Sequence, residues 1–429
     1  MKDRELAAIE QASELDQNDA LAPWRQKFAL PRKPGGAPLL YFAGHSLGLA
    51  PLAALDLVSE ELADWSRLAV LGHHTAQRPW IDYHSFATRG LQHLTGALPN
   101  EVVAMNSLTV NLHLLLATFY RPTAERPKIL IEAGAFSSDH LAVASQIAWH
   151  GYDPHEHLEL VAPRPGEDNI RLEDVEATIE RLGSALAVVL WPGVQFRTGQ
   201  WFDCARIAAA ARRVGAVAGF DMGHAIGNLP LSLHDWNVDF AVWCSYKYLN
   251  AGPGAIGGCF IHERHVTNRN LPRLAGWWGH EPATRFQMRP EFVPSRDAAG
   301  WSLSNPPVLA AAPLIASLDI FREAGVDRLR NKSIALTGFL AKQLALLDDS
   351  GLKIVTLADP QERGCQISLR IVGGGSRGRR VFDALGDKDV ICDWREPDLI
   401  RMAPVPLYNS FSDVQQLVAR FAASLREVQ

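Results

Sequence analysis

Lys247 is the residue of greatest chemical promise. It lies in WCSYKYLNAGPGAIGG, where an apolar, strand-like run enters a loop of small residues that leaves little room for long side chains. A lysine desolvated in such a place has a lowered pKa and becomes a nucleophile able to form a Schiff base with an aldehyde cofactor. Taken alone, the segment also fits an ordinary strand-end lysine in solvent. Asp221 closes the buried-strand pattern AVAGFD. A carboxylate there can pair with a pyridinium nitrogen, keeping it protonated and preserving a pyridoxal ring as an electron sink, or it can cap the next turn. His224, in DMGHAIGN, faces a similar choice between a cofactor contact and a satisfied core histidine.

Other segments supply complementary chemistry. In MNSLTVNLHLLLATFY, Ser107 or Thr109 could open a helix whose free N–H groups receive a phosphate, or simply cap a core helix. Phe136-Ser137-Ser138-Asp139, after the apolar run KILIE, offers a ring to stack on a pyridine, hydroxyls and another carboxylate, or a plain loop and cap. A substrate carboxylate calls for a bidentate arginine, and CDWREPDLIRMAPVPLYNSF contains Arg395 and Arg401, between which composition does not choose. GGGSRGRR (373–380) lacks the lysine and hydroxyl of a P-loop and reads as a strand-to-helix loop with a solvated basic face. There is no H-E-x-x-H, zinc-type cysteine spacing or G-x-S-x-G, and Gly252-Pro253-Gly254 makes no dinucleotide fingerprint. Metal, hydrolase-elbow and nicotinamide chemistries lose their usual support.

The elements that must position these residues show as alternating patterns. Between about 100 and 265, the runs KILIE, LAVVLW, AVAGFD, FAVWCS and GGCFIH alternate with helical periodicity, predicting a mostly parallel sheet covered by helices on both faces. The clearest unit is LAVVLW, then Asp203 as N-cap of CARIAAAARRV, Gly215 as its stop, then AVAGFD. It reads as a βαβ crossover ending in Asp221. Open α/β sheets bind ligands beyond the carboxyl ends of their strands, and that is where Asp221 and Lys247 fall. Residues 1 to about 35 run from an amphipathic helical pattern through PRKPGGAP, like an arm entering the body. After Asn305-Pro306-Pro307, the long helical pattern VLAAAPLIASLDIFREAG leads to a smaller domain of mixed strands and helices, with the boundary near 305.

At 429 residues and 47% apolar composition, the chain can bury a large core in two or three domains. A formal charge of -5 argues against a nucleic-acid surface. The five cysteines are scattered, which predicts reduced and mostly buried thiols. MKDRELAAIE has no signal-peptide apolar region, and no run approaches the roughly 18 apolar residues of a membrane span. The expectation is a soluble, cytoplasmic enzyme.

Taken in chain order, FAGHSLGLAP, LGHHTAQRPW, NSLTVNLHLLLATFYRPT, FSSDHLAVASQ, GVQFRTGQ, FDMGHAIGN, LHDWNVDFAVWCSYKYLNAGPGAIGGCFIHE, LAGWWGHE, SLSNPP and IRMAPVPLYNSF resemble the kynureninase family from about residue 38 to about 415. These are pyridoxal-phosphate (PLP) hydrolases of the aminotransferase class V superfamily. The resemblance implies an α/β, fold-type-I PLP-dependent transferase architecture. Its parts would be an N-terminal arm (1–60) packing with the small domain, a large PLP-binding domain (61–304) with a mostly parallel sheet flanked by helices, and a small α+β C-terminal domain (305–429). It implies that Lys247 carries the Schiff base and that Asp221 pairs with the pyridinium nitrogen. Phe136 would stack on the ring with Asp139 nearby, and Leu108, Thr109, Ser137, Ser138 and Tyr246 would lie around the phosphate and ring, with His224 close. Trp277 and Asn305 would reach in from the partner of a homodimer.

On the substrate side the resemblance implies Arg401 for the α-carboxylate and His45, Ser46, His73, Ser304 and Asn305 around the aryl ketone, with His280 behind them. The implied reaction is Cβ–Cγ hydrolysis of L-kynurenine or 3-hydroxy-L-kynurenine to anthranilate, or its 3-hydroxy form, and L-alanine, in tryptophan catabolism or NAD biosynthesis. Lys247 would take the α-proton and Tyr246 would donate or relay protons. The chain departs from the family pattern at His45, where asparagine is expected, at Arg197 for tyrosine and at Gly223 for alanine. Cysteine desulfuration, which needs a mobile cysteine, and a catalytically dead scaffold subunit are the rival readings. Cys365 precedes the strand-like ISLRIV, and Lys247, Asp221, Tyr246 and Arg401 are all retained, which disfavours both.

Overall fold

The computed structural model describes residues 2–347 and 351–428. Its centre is a seven-stranded sheet. In chain order the strands are β1 (Val102–Ala104), β2 (Lys128–Glu132), β3 (Leu158–Val161), β4 (Leu186–Pro192), β5 (Val217–Asp221), β6 (Phe240–Trp243) and β7 (Gly258–Ile261). Across the sheet the order is β1-β7-β6-β5-β4-β2-β3. Strands β6 through β3 pair in parallel, whereas β7 is antiparallel to both β6 and β1. The sheet is therefore mostly parallel, as expected, but GGCFIH runs against the others. Strands β1 and β3 lie outside the apolar runs that the sequence makes conspicuous.

Alternation of side chains across the pleat places successive residues of one strand in different cores. Leu130, Val189, Trp191, Ala218 and Phe220 join one cluster with Ile207 and Ala211 of the helix Cys204–Arg213, while Ile129, Ile131, Val188 and Leu190 join another with Leu112, Leu115 and Ile147 from the opposite face. Asp203 caps Cys204–Arg213 by accepting from the Arg206 N–H, and Gly215 takes φ +74 beyond its end, so the βαβ crossover forms as its sequence predicts.

A second, antiparallel sheet is built from β8 (Leu352–Ile354), β9 (Ile367–Ile371), β10 (Asp393–Arg395) and β11 (Leu399–Met402), in the order β8-β9-β11-β10. GGGSRGRR connects β9 to the helix Gly375–Asp387. The core of this region includes Leu369, Ile400, Leu417 and Phe421, and it also takes Ala12, Leu40 and Phe42 from the N-terminal arm. The arm is tied there by parallel pairing of Leu40–Tyr41 with Val390–Ile391. Helix Val308–Ala324 buries Ala311, Leu314, Leu318 and Phe321 against the large sheet's core. The handover to the C-terminal core falls between Leu329 and Leu336, inside the next helix, Val326–Ala345.

Candidate active site

Strand ends on one edge of the large sheet bring the chemistry together. β5 ends in Asp221, whose Oδ1 accepts from the Gly223 N–H at 2.6 Å. β6 runs into the loop that carries Tyr246 and Lys247, and Lys247 Nζ lies 5.7 Å from the centre of the Phe136 ring and 5.8 Å from that of Tyr246. Phe136 immediately precedes helix Ser137–Trp149, which follows β2, so the strand-end rule places it, Ser137, Ser138 and Asp139 on the same edge.

Two glycines allow the close approaches that build the site. The Gly48 N–H donates to the Tyr246 carbonyl at 2.8 Å, and a Cβ on Gly48 would meet the Lys247 carbonyl oxygen at 2.3 Å. Only glycine therefore lets FAGHSLG, with His45 and Ser46, close over the lysine loop. At Gly257 a Cβ would lie 2.9 Å from the Trp243 carbonyl oxygen and 3.2 Å from the Leu108 nitrogen. That contact seats the start of helix Leu108–Phe119 beside the end of β6. Ser107, its N-cap, makes no side-chain cap, so the first-turn N–H groups around Leu108 and Thr109 are available to an anion.

On one side of Lys247 are three acids. Asp221 and Asp139 lie against each other, with Glu132 from the end of β2 nearby. Burial, then the charge of Asp221, holds the Asp139 carboxyl well above the usual carboxylate range. Burial raises Asp221 too, but Lys247 and the Gly223 N–H oppose it. Of two carboxyls that share a proton, the one nearer the cation keeps the charge, so Asp221 is the ionised member and Asp139 the protonated one. Glu132 is pushed up to about 8 by burial, against the opposing bond donated by Gln195 Nε2 at 3.3 Å.

On the other side is a cationic and aromatic wall. Arg401, on β11, is fully buried; its Nε donates to Asp393 Oδ1 at 2.8 Å and its Nη1 to the Phe196 carbonyl at 2.5 Å. Its Nη2 lies 2.7 Å from the same carboxylate oxygen but has no hydrogen-bond partner, which leaves a donor for a ligand. Burial brings the guanidinium down to about 10, still cationic at neutral pH. The structure thus separates the two candidate arginines, since the Arg395 side chain is 36% exposed and that of Arg401 0%. His45 is completely buried with neither ring nitrogen bonded, and His224 is buried with Nδ1 unpaired; their rings are 6.5 Å apart. Burial holds both histidines well below their ordinary pKa, helped by Arg401 and Lys247, so both are neutral.

Phe196 links the two walls. Its ring meets the edge of Phe136 at 5.2 Å, approaches His224 at 6.5 Å and lies 5.9 Å from the Arg401 guanidinium carbon. Sequence reasoning passed over Phe196, Glu132 and Asp393. Phe196 sits in the quoted stretch GVQFRTGQ but carries no polar group to single it out.

Four expected site residues stand apart. His73 packs edge-on to Trp80 at 5.7 Å, Trp277 is 43% exposed beside Trp278 and Phe286, and Ser304 and Asn305 are exposed. Among the described residues, no hydrogen bond or ring contact joins them to the Lys247 cluster. His280 is buried, with Nδ1 accepting from the Val293 N–H. Cys365 is fully buried just before β9, its thiol raised to about 12 by burial, the opposite of a mobile sulfur nucleophile.

The kynureninase C-terminal domain family model matches residues 329–421. A curated protein named kynureninase from Xanthomonas campestris pv. campestris is 56% identical over 407 residues, 95% of this chain and 96% of that protein. One of the same name from Stenotrophomonas maltophilia is 54% identical over 409 residues, with 95% and 96% covered. Among solved structures, the fold is shared with the cystine C-S lyase C-DES (TM-score 0.77, 19% identity, 91% of this chain and 98% of that one). It is also shared with the Escherichia coli cysteine desulfurase CsdA (TM-score 0.76, 16% identity, 95% and 98%). Near-complete coverage at such identity establishes descent as well as fold, and the chain belongs to the kynureninase family.

Proposed function

We propose that the chain is a PLP-dependent hydrolase that cleaves the Cβ–Cγ bond of L-kynurenine, 3-hydroxy-L-kynurenine or both, releasing L-alanine and anthranilate or 3-hydroxyanthranilate. The step belongs to tryptophan catabolism and can feed NAD biosynthesis. The end-to-end likeness to curated kynureninases carries this reading.

The residues present suit PLP. Lys247 would bind the aldehyde, Asp221 the ring nitrogen, the open face of Phe136 the ring, and the uncapped helix start at Leu108 and Thr109 with Ser137 and Ser138 the phosphate. Bound there, PLP supplies a sink for negative charge at the substrate's Cα. Arg401, locked by Asp393 and the Phe196 carbonyl, offers its free Nη2 to the α-carboxylate. Lys247 Nζ, once a free amine, takes the Cα proton. Water adds at Cγ, and the aryl group departs as a carboxylic acid while Cβ gains a proton. Burial raises the Tyr246 hydroxyl pKa, so it holds its proton at neutral pH and would be the donor that delivers it. His45, with Ser46 beside it, and His224 stay uncharged next to Arg401, so each offers hydrogen bonds to the substrate without competing for its carboxylate.

We place the site at the interface of a homodimer. Trp277, Ser304, Asn305 and His73 would complete the site of a second copy, and Leu52, Leu55, Leu62 and Trp65 leave an apolar stripe exposed on helix Leu52–Leu68. No helix among the described residues is long and apolar enough to cross a membrane. A cytoplasmic location suits the free cysteines.

The test is to mix PLP-loaded protein with L-kynurenine and, separately, 3-hydroxy-L-kynurenine, following product fluorescence and alanine release. Turnover supports the reaction and its ratio names the preferred substrate. A cofactor spectrum that shifts with substrate while neither product forms overturns the hydrolytic reading.

A further inference from the structure

Glu101, His234 and His262 meet at the edge of the large sheet opposite Lys247. Glu101 directly precedes β1, His262 directly follows β7, and His234 lies in the segment leading to β6. Because β7 is antiparallel to β6, with Ile261 opposite Phe240, His262 sits where β6 begins, whereas Lys247 follows the end of β6. Nothing in the reaction uses this trio.

The three side chains offer one carboxylate oxygen and two ring nitrogens, all within 4.8 Å of one another. His234 Nδ1 is 2.9 Å from Glu101 Oε1, and His262 Nδ1 is 3.6 Å from the same oxygen. The two imidazoles stack at 4.9 Å with an interplanar angle of 26°. The hydrogen bonds assign the protons. Glu101 accepts from the Glu263 N–H on Oε1 and the Leu98 N–H on Oε2, each at 2.8 Å, as an ionised carboxylate does. His262 Nδ1 accepts a long bond, 3.4 Å, from the Arg264 N–H, so its own proton is on Nε2. The lone pair of His262 Nδ1 is thus held by one long bond only, 3.6 Å from the carboxylate oxygen to which the His234 ring donates. A cation among these three atoms would take up that weakly held lone pair together with the shared oxygen and the His234 nitrogen.

The distances suit such a cation. Bonds of about 2.0–2.2 Å to nitrogen and oxygen in tetrahedral geometry space neighbouring ligand atoms by about 3.4 Å, between the two measured separations. We propose that Glu101 Oε1, His234 Nδ1 and His262 Nδ1 bind a divalent ion of the zinc class, which displaces one proton from His234 Nδ1. Two imidazoles and one carboxylate favour zinc, cobalt or nickel over magnesium or calcium. The His234 side chain is 26% exposed, which leaves a fourth position open to water. The bound ion ties the segment before β6 to the ends of β1 and β7, so it stabilises the fold and leaves the reaction alone.

The experiment uses the PLP-loaded enzyme stripped with a chelator and then titrated with Zn2+ against a chromophoric competitor. The expected result is one ion per chain bound in the micromolar range or tighter, a melting temperature raised by a few degrees, and kynurenine turnover unchanged within about twofold. His234→Ala should weaken Zn2+ binding by at least about 30-fold and abolish the thermal shift, with the same turnover as wild type. Millimolar binding by wild type, or equal binding and thermal shift in the variant, overturns the proposal. Should His234→Ala not fold, Co2+ on the wild type decides. Intense visible ligand-field bands mark a four- or five-coordinate nitrogen and oxygen site, and the weak spectrum of six-coordinate aqueous Co2+ overturns it.

Discussion

Replacing His45 by leucine should stabilise the ligand-free enzyme and cripple it at once. The imidazole is completely buried and neither nitrogen has a partner. An unpaired buried polar group costs about 1–3 kcal/mol, and leucine removes the group while filling similar volume. With an unfolding entropy of roughly 2.1 cal/mol/K per residue over 429 residues, a gain of about 1–3 kcal/mol raises Tm by about 1–3 °C. The gain should depend on pH. Burial, then Arg401, Arg395 and Lys247, holds His45 well below 6.5, so in mild acid the unfolded chain takes up a proton that the folded chain refuses. Wild-type stability is then lost as pH falls below 6.5, by about 1.4 kcal/mol per pH unit, a loss leucine does not share. The advantage of the variant therefore widens by about 2 kcal/mol between about pH 6.5 and about pH 5. Activity moves the other way. A hydrogen bond to a charged or strongly polar substrate group is worth about 1.5–3 kcal/mol, or roughly 10–150-fold in kcat/KM. Calorimetry at both pH values and steady-state kynurenine cleavage test the two halves. A variant less stable than wild type at both pH values, or one within about threefold of its kcat/KM, refutes the idea that these nitrogens await substrate.

Arg401→Lys keeps the charge but loses the fork held by Asp393 and the Phe196 carbonyl, so kcat/KM should fall about 100-fold, mostly through KM; a loss confined to kcat would move the α-carboxylate elsewhere. Gly257→Ala puts a Cβ 2.9 Å from the Trp243 carbonyl and 3.2 Å from the Leu108 nitrogen, and should weaken PLP binding at least about tenfold in a fluorescence titration; unchanged affinity would dissociate this helix start from the phosphate. Glu132 has a folded pKa of about 8 against 4.5, so the fold is increasingly penalised as pH rises between those values. Glu132→Gln should therefore stabilise by about 2–4 kcal/mol near pH 8 and scarcely at all near pH 5, and equal gains at both in denaturant titrations would show that Glu132 is not protonated in the fold.

What could be read from the sequence was what depends on neighbours in the chain. Asp203 and Gly215 bracket their helix because cap and stop are local, and Asp221 and Lys247 fall on one sheet edge because each follows a strand whose apolar run is visible. The strands that escaped notice are short or half exposed: Val102–Ala104 spans three residues, and Leu158–Val161 buries only its last. The direction of Gly258–Ile261 is a property of its partners, since an apolar run looks the same whichever way it pairs.

The same division explains the site. Arg395 and Arg401 are alike as residue types and belong to neighbouring strands; they differ because register sets Asp393 opposite Arg401 and buries that guanidinium under Phe196, which comes from the large sheet's side of the molecule. Glu132 reads as the charged end of KILIE, and only the packing of Asp139, Asp221 and Gln195 around it makes its carboxyl unusual. Phe196 has no local signature because its function is spatial: one ring touches both the aromatic face near Lys247 and the guanidinium that would hold the substrate. On the proposed assignment, the distance between the cofactor end and the carboxylate end of the pocket would be set by a residue with no reactive group. A larger or smaller side chain at Phe196 would displace Arg401 relative to Lys247 and lower kcat/KM with every catalytic group still in place.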